Sequence, residues 1–224
     1  MEENGRTTLR GESTRDALLV AATEVFAREG FGSANLREIA QAAEVNQALI
    51  GYHFHGKEGL YHAVFERMVS QMQAALSPAM SQIDRVLEDP VGACPPEQRK
   101  ERYLEPLLQL LEATLTYMVH EHPSCAELFV REQQTPTTAF EILYEGIIKR
   151  GARCYAGLVQ RIRLDEDPVK AQLIAGTIIS QVIVLRIIRA TLMRLMNWER
   201  IGDRELATMR ELVRRNTTLL VLGD

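Results

Sequence analysis

The stretch Asn35-Leu-Arg-Glu-Ile-Ala-Gln-Ala-Ala-Glu-Val-Asn-Gln-Ala-Leu-Ile-Gly-Tyr-His-Phe-His-Gly-Lys57 decides how this chain is read. Asn35 followed three residues on by Glu38 is the pattern of a capping box, so a helix starts there. Leu36, Ile39 and Ala40 form its apolar stripe, which stops at Ala43. Asn46 caps a second short helix, with Ile50 and Phe54 on its inner face. Two helices of this size joined by a tight turn fit a helix-turn-helix, a motif whose second helix enters the major groove of DNA.

Working outward, residues 1–12 read as a flexible polar arm. Ser13 or Thr14 caps a first helix to about Arg28, with Leu18, Ala21, Ala22, Val25 and Phe26 buried and Gly30 ending it. His55-Gly56 breaks the chain before a long helix from Lys57 to about Glu88, with Leu60, Val64, Met68, Met72 and Leu76 on one face. Pro90, Gly92, Pro95 and Pro96 mark a loop. A helix from about Arg99 to Glu121 follows, and Ser124 with Glu127 opens a short one to about Gln134. Thr135-Pro136 and Asp167-Pro168 each place a cap before a proline, starting helices to about Ile162 and Met196. Asp203 caps a last helix to about Val221. The fold class is all-α, with about nine helices and no strand. The expected domains are 13–58, a DNA-reading head, and 59–224, a helical body.

Composition narrows the classes. The chain has 224 residues, 46% of them apolar, enough for a real core. Residues 1–12 are too polar for a secretory signal, and Ile174–Leu185 is too short and too closely flanked by Arg186 and Arg189 to span a bilayer. Cys94, Cys125 and Cys154 are odd in number with no CxxC, which argues against disulfides or zinc. No glutamate has a histidine three residues on, and HExxH, GxSxG and P-loop patterns are missing, so no enzyme class is indicated. His120-Glu-His122 lacks a third ligand and reads as a polar helix end, so no metal or cofactor is expected. A cytoplasmic protein is the simplest reading. The net charge of −4 does not announce a nucleic-acid binder. Residues 1–58 carry nine acidic and six basic side chains, so affinity must come from geometry and dimerisation, with a modest salt slope.

Residues 14–65 resemble the DNA-binding domain of the TetR family of bacterial transcriptional regulators. The residues that carry the resemblance are Ala21-Ala22, Phe26, Glu29-Gly30-Phe31, Leu36-Arg37-Glu38-Ile39-Ala40, Val45-Asn46, Tyr52-His53-Phe54 and Lys57-Glu58-x-Leu60. Phe129-Val-Arg-Glu132, Pro136-x-x-x-Phe140 and the apolar run Leu173–Ile188 resemble the C-terminal domain of the YbiH (CecR-like) subgroup. The resemblance implies a dimeric repressor on a palindromic double-stranded operator, released by a small-molecule effector of apolar or aromatic character. A regulator answering to a protein partner instead is the alternative.

On a helix capped by Asn46, residues 47, 48, 51 and 52 face away from the core. Gln47 can pair with the N6/N7 edge of adenine, and Ala48 and Leu49 offer methyl contacts to thymine. Tyr52, His53 and Lys57 sit at the family's phosphate-contacting positions, and Arg37 is a further phosphate candidate. The bland readings are a packed His53 and a core Leu49. Gly51 departs from the family, which carries Tyr there, or Asn in this subgroup. Glycine costs a helix interior about 1 kcal/mol relative to alanine, so it reads as a device for close approach or adaptation.

For the dimer, Ile174, Ile178, Val182, Leu185 and Leu192 with Leu212 on the last helix are the interface candidates for a four-helix bundle. An intramolecular core is the plain alternative. For the effector, the polar residues on apolar helices are candidates: Tyr103, Tyr117, Arg131, Glu132, Gln133, Tyr144, Arg153, Tyr155 and Gln181. Each also fits a structural hydrogen bond or surface position. Arg131-Glu132 reads as an internal ion pair, and Arg186 and Arg189 need partners if buried.

Overall fold

A computed structural model describes residues 2–164 and 167–223, residues 2–12 by their backbone alone. The described residues are helical with no strand. In order they are α1 (Glu2–Ser33), α2 (Leu36–Ala42), α3 (Ala48–Phe54), α4 (Lys57–Val86), α5 (Pro96–Arg99), α6 (Glu105–His120), α7 (Pro123–Gln134), α8 (Ala139–Leu143), α9 (Lys149–Ile162), α10 (Pro168–Ile187), α11 (Arg189–Leu195) and α12 (Asp203–Leu222). Lys100–Leu104 and Tyr144–Ile148 are π-helical turns that join α5 to α6 and α8 to α9. Each joined pair makes one continuous helix, giving ten in the described chain.

The chain folds as two compact units. The first takes the chain up to Ser70 together with His122–Tyr144, and the second takes Gln71–Glu121 and the chain from Glu145 onward. Sequence placed a boundary near residue 58. The compact grouping differs, because α7 packs on α1 and so joins the head. In the first unit Phe26 of α1 meets Tyr61 of α4 edge-on at 4.8 Å, and Tyr61 meets Phe65 at 4.9 Å. Leu18, Ile39, Ile50, Leu60 and Leu128 close around them, each at most 1% exposed. In the second unit Met80 and Ile83, Leu110 and Leu111, Leu158 and Val159, and Ile178 and Val182 form the core.

Helix boundaries show which sequence signals won. Backbone helix runs from Glu2, so neither Ser13 nor Thr14 stands at an N-cap. Gly30, with φ 77° and ψ 166°, breaks α1 near its end, and a Cβ there would lie 2.8 Å from the Arg131 guanidinium. At α7, Pro123 takes the first helical position and His122 the cap, so Ser124 and Glu127 form no capping box. The helix expected at Pro136 begins at Ala139. The buried Glu132 carboxylate accepts the Thr137 amide at 2.8 Å and holds the intervening backbone out of helix, while Thr137 Oγ1 caps Ala139 at 3.2 Å. Asp167 caps α10 as expected, accepting the Val169 and Lys170 amides at 3.2 and 3.4 Å. That helix stops at Ile187 rather than near Met196. Arg186 and Arg189, either side of the break, reach the carbonyls of Glu121 and Val119 at 3.3 and 3.5 Å, so their charges settle on the negative end of α6. The cap of α12 is Gly202, whose amide donates to Glu205 at 2.9 Å; Asp203 is the first helical residue.

Candidate nucleic-acid interface

The first unit builds one exposed helical face from local devices. Asn35 Oδ1 accepts the Arg37 amide at 2.9 Å and starts α2. Its expected partner Glu38 does not complete a capping box; it pairs with Arg28, which also holds Glu29 at 2.8 Å. Glu44 turns the chain with φ 55°, in the left-handed region. The N-cap of α3 is Gln47, one residue later than read from sequence, and Asn46 Oδ1 accepts the Ala48 amide at 2.8 Å just before it. His55, with φ 60°, ends α3, and its amide donates to the Gly51 carbonyl at 3.0 Å.

Ile50 and Phe54 fix the inner side of α3 at 1% and 4% exposure, with the Arg15 guanidinium 5.3 Å from the Phe54 ring. The outer side is Asn46, Gln47, Ala48, Gly51, Tyr52 and His55, all exposed. Tyr52 is the most open, at 77%. Leu49 and His53 are half-buried, His53 edge-on to Tyr52 at 5.0 Å. Arg37 is exposed on α2. Lys57 is partly committed: its ammonium donates to the Gly32 carbonyl at 3.0 Å and stands 5.2 Å from the Phe31 ring centroid. The outer side of α3 therefore presents an amide, a phenol and small apolar groups to solvent, and Arg37 is exposed on the neighbouring helix.

Two residues read as effector ligands belong to this unit's frame. Arg131 donates to the Ala27 carbonyl at 2.8 Å, near the end of α1. Glu132 is fully buried and accepts the Tyr61 hydroxyl at 2.8 Å and Thr137 Oγ1 at 2.9 Å. They tie α7 to its neighbours as expected, though not by pairing with each other. Burial, with the Glu132 carboxylate beside it, pushes the Tyr61 hydroxyl well above the ordinary phenol range. His55 ends α3 where the sequence breaks the chain, while Gly59 escaped the sequence reading. A Cβ on Gly59 would lie 1.9 Å from the Phe54 carbonyl oxygen, a closeness that no local pattern announces.

The remaining effector candidates do not converge. Gln133 is exposed, and Tyr144 stacks on Phe140 at 6.0 Å. Arg153 pairs with Asp84 at 2.7 Å. Tyr155 is buried with its hydroxyl 3.1 Å from Thr114 Oγ1, and Gln181 reaches Thr217 at 3.4 Å. Tyr103 is buried away from solvent. Tyr117 alone of the set lines a cavity of about 580 Å³ in the second unit, with Gln71, Ala75, Ala113, Thr116, His120 and Glu121. Of the dimer candidates, Ile178 and Val182 are fully buried in their own chain and cannot meet a partner directly. Ile174, Leu185 and Leu192 are half-buried, and Leu212 is 50% exposed.

A capped supporting helix, a left-handed turn and a second helix with its polar side outward define a helix-turn-helix DNA-binding protein. Residues 18–64 match the domain described as "Bacterial regulatory proteins, tetR family", and residues 104–223 match the C-terminal domain of the "HTH-type transcriptional dual regulator CecR". The chain belongs to the TetR family of transcriptional regulators, in the group that carries the CecR C-terminal domain. It is 23% identical over 225 residues to the dual regulator CecR of Shigella flexneri, covering 98% of this chain and 96% of that protein. It is 32% identical over 126 residues to the probable regulator YttP of Bacillus subtilis (strain 168), an alignment of 56% of this chain and about half, 53%, of YttP. The crystal structure of a TetR-like regulator from Rhodococcus sp. RHA1 shares the fold, with a TM-score of 0.64, 21% identity, and coverage of 94% of this chain and 97% of that one. Its family makes the chain a DNA-binding transcriptional regulator and not an enzyme.

Proposed function

We propose that the chain is a cytoplasmic repressor that binds a palindromic operator as a homodimer and is released by a small-molecule effector. The observation that carries the reading is the exposed face of α3, with Gln47, Ala48, Gly51 and Tyr52 open to a groove and Arg37 open to phosphate. One such short helix reads only a few base pairs, so a specific site needs two copies. The second unit supports pairing, because apolar side chains stay open on α10 (Leu173 68%, Ile187 55%) and α12 (Leu219 62%). The cavity beside Tyr117 offers an effector seat with Ala75 and Ala113 in its wall, suited to an apolar or aromatic molecule. An effector that prefers the state unable to bind DNA would draw the population away from the operator.

The test is binding of the purified protein to the intergenic DNA beside its own gene, followed over a salt series. Saturable binding to a short palindrome at two subunits per half-site pair, relieved by a small molecule, is expected. Weak binding indifferent to sequence would defeat the reading. Specific binding that no small molecule alters would favour control by a protein partner.

A further inference from the structure

Gly51 has no local structural explanation. It lies inside α3, its backbone avoids the left-handed region, and a Cβ built on it would meet nothing within 4 Å. Its carbonyl accepts the His55 amide, a bond that alanine would keep. Glycine destabilises a helix interior relative to alanine, and here no turn and no close neighbour offsets the loss. Nothing within the described structure compensates for it.

The neighbouring side chains narrow the chemistry. Ala48, one turn earlier, is also exposed, and the two positions together carry no side-chain donor or acceptor. Gln47 and Tyr52 flank them with polar groups. Base edges in the major groove display donors and acceptors, and thymine alone of the four bases adds an apolar group, its C5-methyl. A polar base edge packed against the bare Gly51 backbone would be stripped of water with no side chain to pair with, whereas a methyl loses nothing. We propose that Gly51 is a specificity determinant, whose missing side chain leaves the open space that a thymine C5-methyl occupies in each operator half-site, next to the exposed Ala48. The proposal rests on the reading of the outer face of α3 as the base-reading surface.

The experiment uses the full chain. Wild type selects its preferred duplex from a random pool, and the affinities of wild type, Gly51→Ala and Gln47→Ala for that duplex are measured at fixed salt. The same duplex is then made with each symmetric pair of thymines replaced in turn by deoxyuridine, which removes only the methyl. Gly51→Ala should bind the thymine duplex about tenfold more weakly than wild type, a contact-sized loss. At one pair of positions deoxyuridine should weaken wild type and bring the variant level with it. A thermal midpoint for Gly51→Ala at or above that of wild type would show that the loss is not misfolding. Undiminished binding by Gly51→Ala, with Gln47→Ala impaired, would overturn the proposal alone. A loss that no deoxyuridine position relieves would overturn it too. If Gln47→Ala and Gly51→Ala both match wild type, the premise about α3 falls with it.

Discussion

At the scale of single residues, Gly59 closes the junction between α3 and α4. A Cβ there would stand 1.9 Å from the Phe54 carbonyl oxygen, and backbone cannot swing aside as a flexible side chain can. Alanine would gain up to about 1 kcal/mol of helix propensity, but the overlap should outweigh it, because overpacking of this kind costs about 1–3 kcal/mol. Gly59→Ala should therefore lower the denaturant midpoint and, by displacing α3, weaken DNA binding. A raised midpoint would show that the junction relaxes freely. Gly51 and Gly59 thus have opposite physics eight residues apart, one in open space and one against backbone. Sequence flagged Gly51 through its departure from the family and passed over Gly59, since a close approach is a property of folded neighbours. It read Gln47, Ala48 and Tyr52 correctly as outward, because Ile50 and Phe54 fix the helical phase.

At the scale of elements, α4 and α9 are joined by a charged clamp in the second unit. Asp84 accepts from Arg150 at 2.8 and 3.1 Å and from Arg153 at 2.7 Å. Burial alone would raise the Asp84 pKa, but the hydrogen bonds and charges of the two guanidiniums override it and hold the carboxyl below its ordinary value. A depressed carboxylate stabilises the fold fully above its unfolded pKa, about 4, and loses that contribution as pH falls through the lower folded value. Asp84→Asn should destabilise the protein at neutral pH and flatten the loss of stability below about pH 4. An acid limb as steep in the variant as in wild type would remove Asp84 from the account. Cys154, 3.9 Å from Asp84, stays a thiol at neutral pH, since burial and that carboxylate raise its pKa to about 11. Local signals were legible in part: the Asp167-Pro168 start survives intact, while the Ser124–Glu127 box gives way to a His122 cap before Pro123. Other readings failed where a contact outside the helix-start pattern intervened, as when Glu132, five residues back, captured Thr137 and when Arg186 and Arg189 turned to the distant end of α6.

At the scale of the whole molecule, α10 leaves several apolar side chains open, among them Leu173, Val184 and Ile187. It is 20 residues long, longer than the apolar run read from sequence, and an 18-residue window in it has mean hydropathy 1.5 with 22% buried. By length and composition alone that would suffice to cross a membrane, as would the core helix of a soluble protein. TetR-family regulators typically act as dimers, and a second subunit is the cover we propose for α10. Its phase differs from the sequence expectation. Ile178 and Val182 face inward, while Leu173, Thr177, Ser180, Val184 and Ile187 stay open at alternating steps of four and three. Such a row fits the seam of the proposed dimer, and Leu219 and Leu222 on α12 add to the exposed apolar surface. Leu173 is 68% exposed, so Leu173→Glu removes little from the core of one subunit but would bury an unpaired carboxylate in a dimer. The variant should keep its helical content and sediment as a monomer at concentrations where wild type is a dimer. Its operator affinity should fall by more than about tenfold, because the two half-sites would no longer be engaged as a unit. A Leu173→Glu protein that remained dimeric and bound the operator normally would place the subunit contact elsewhere.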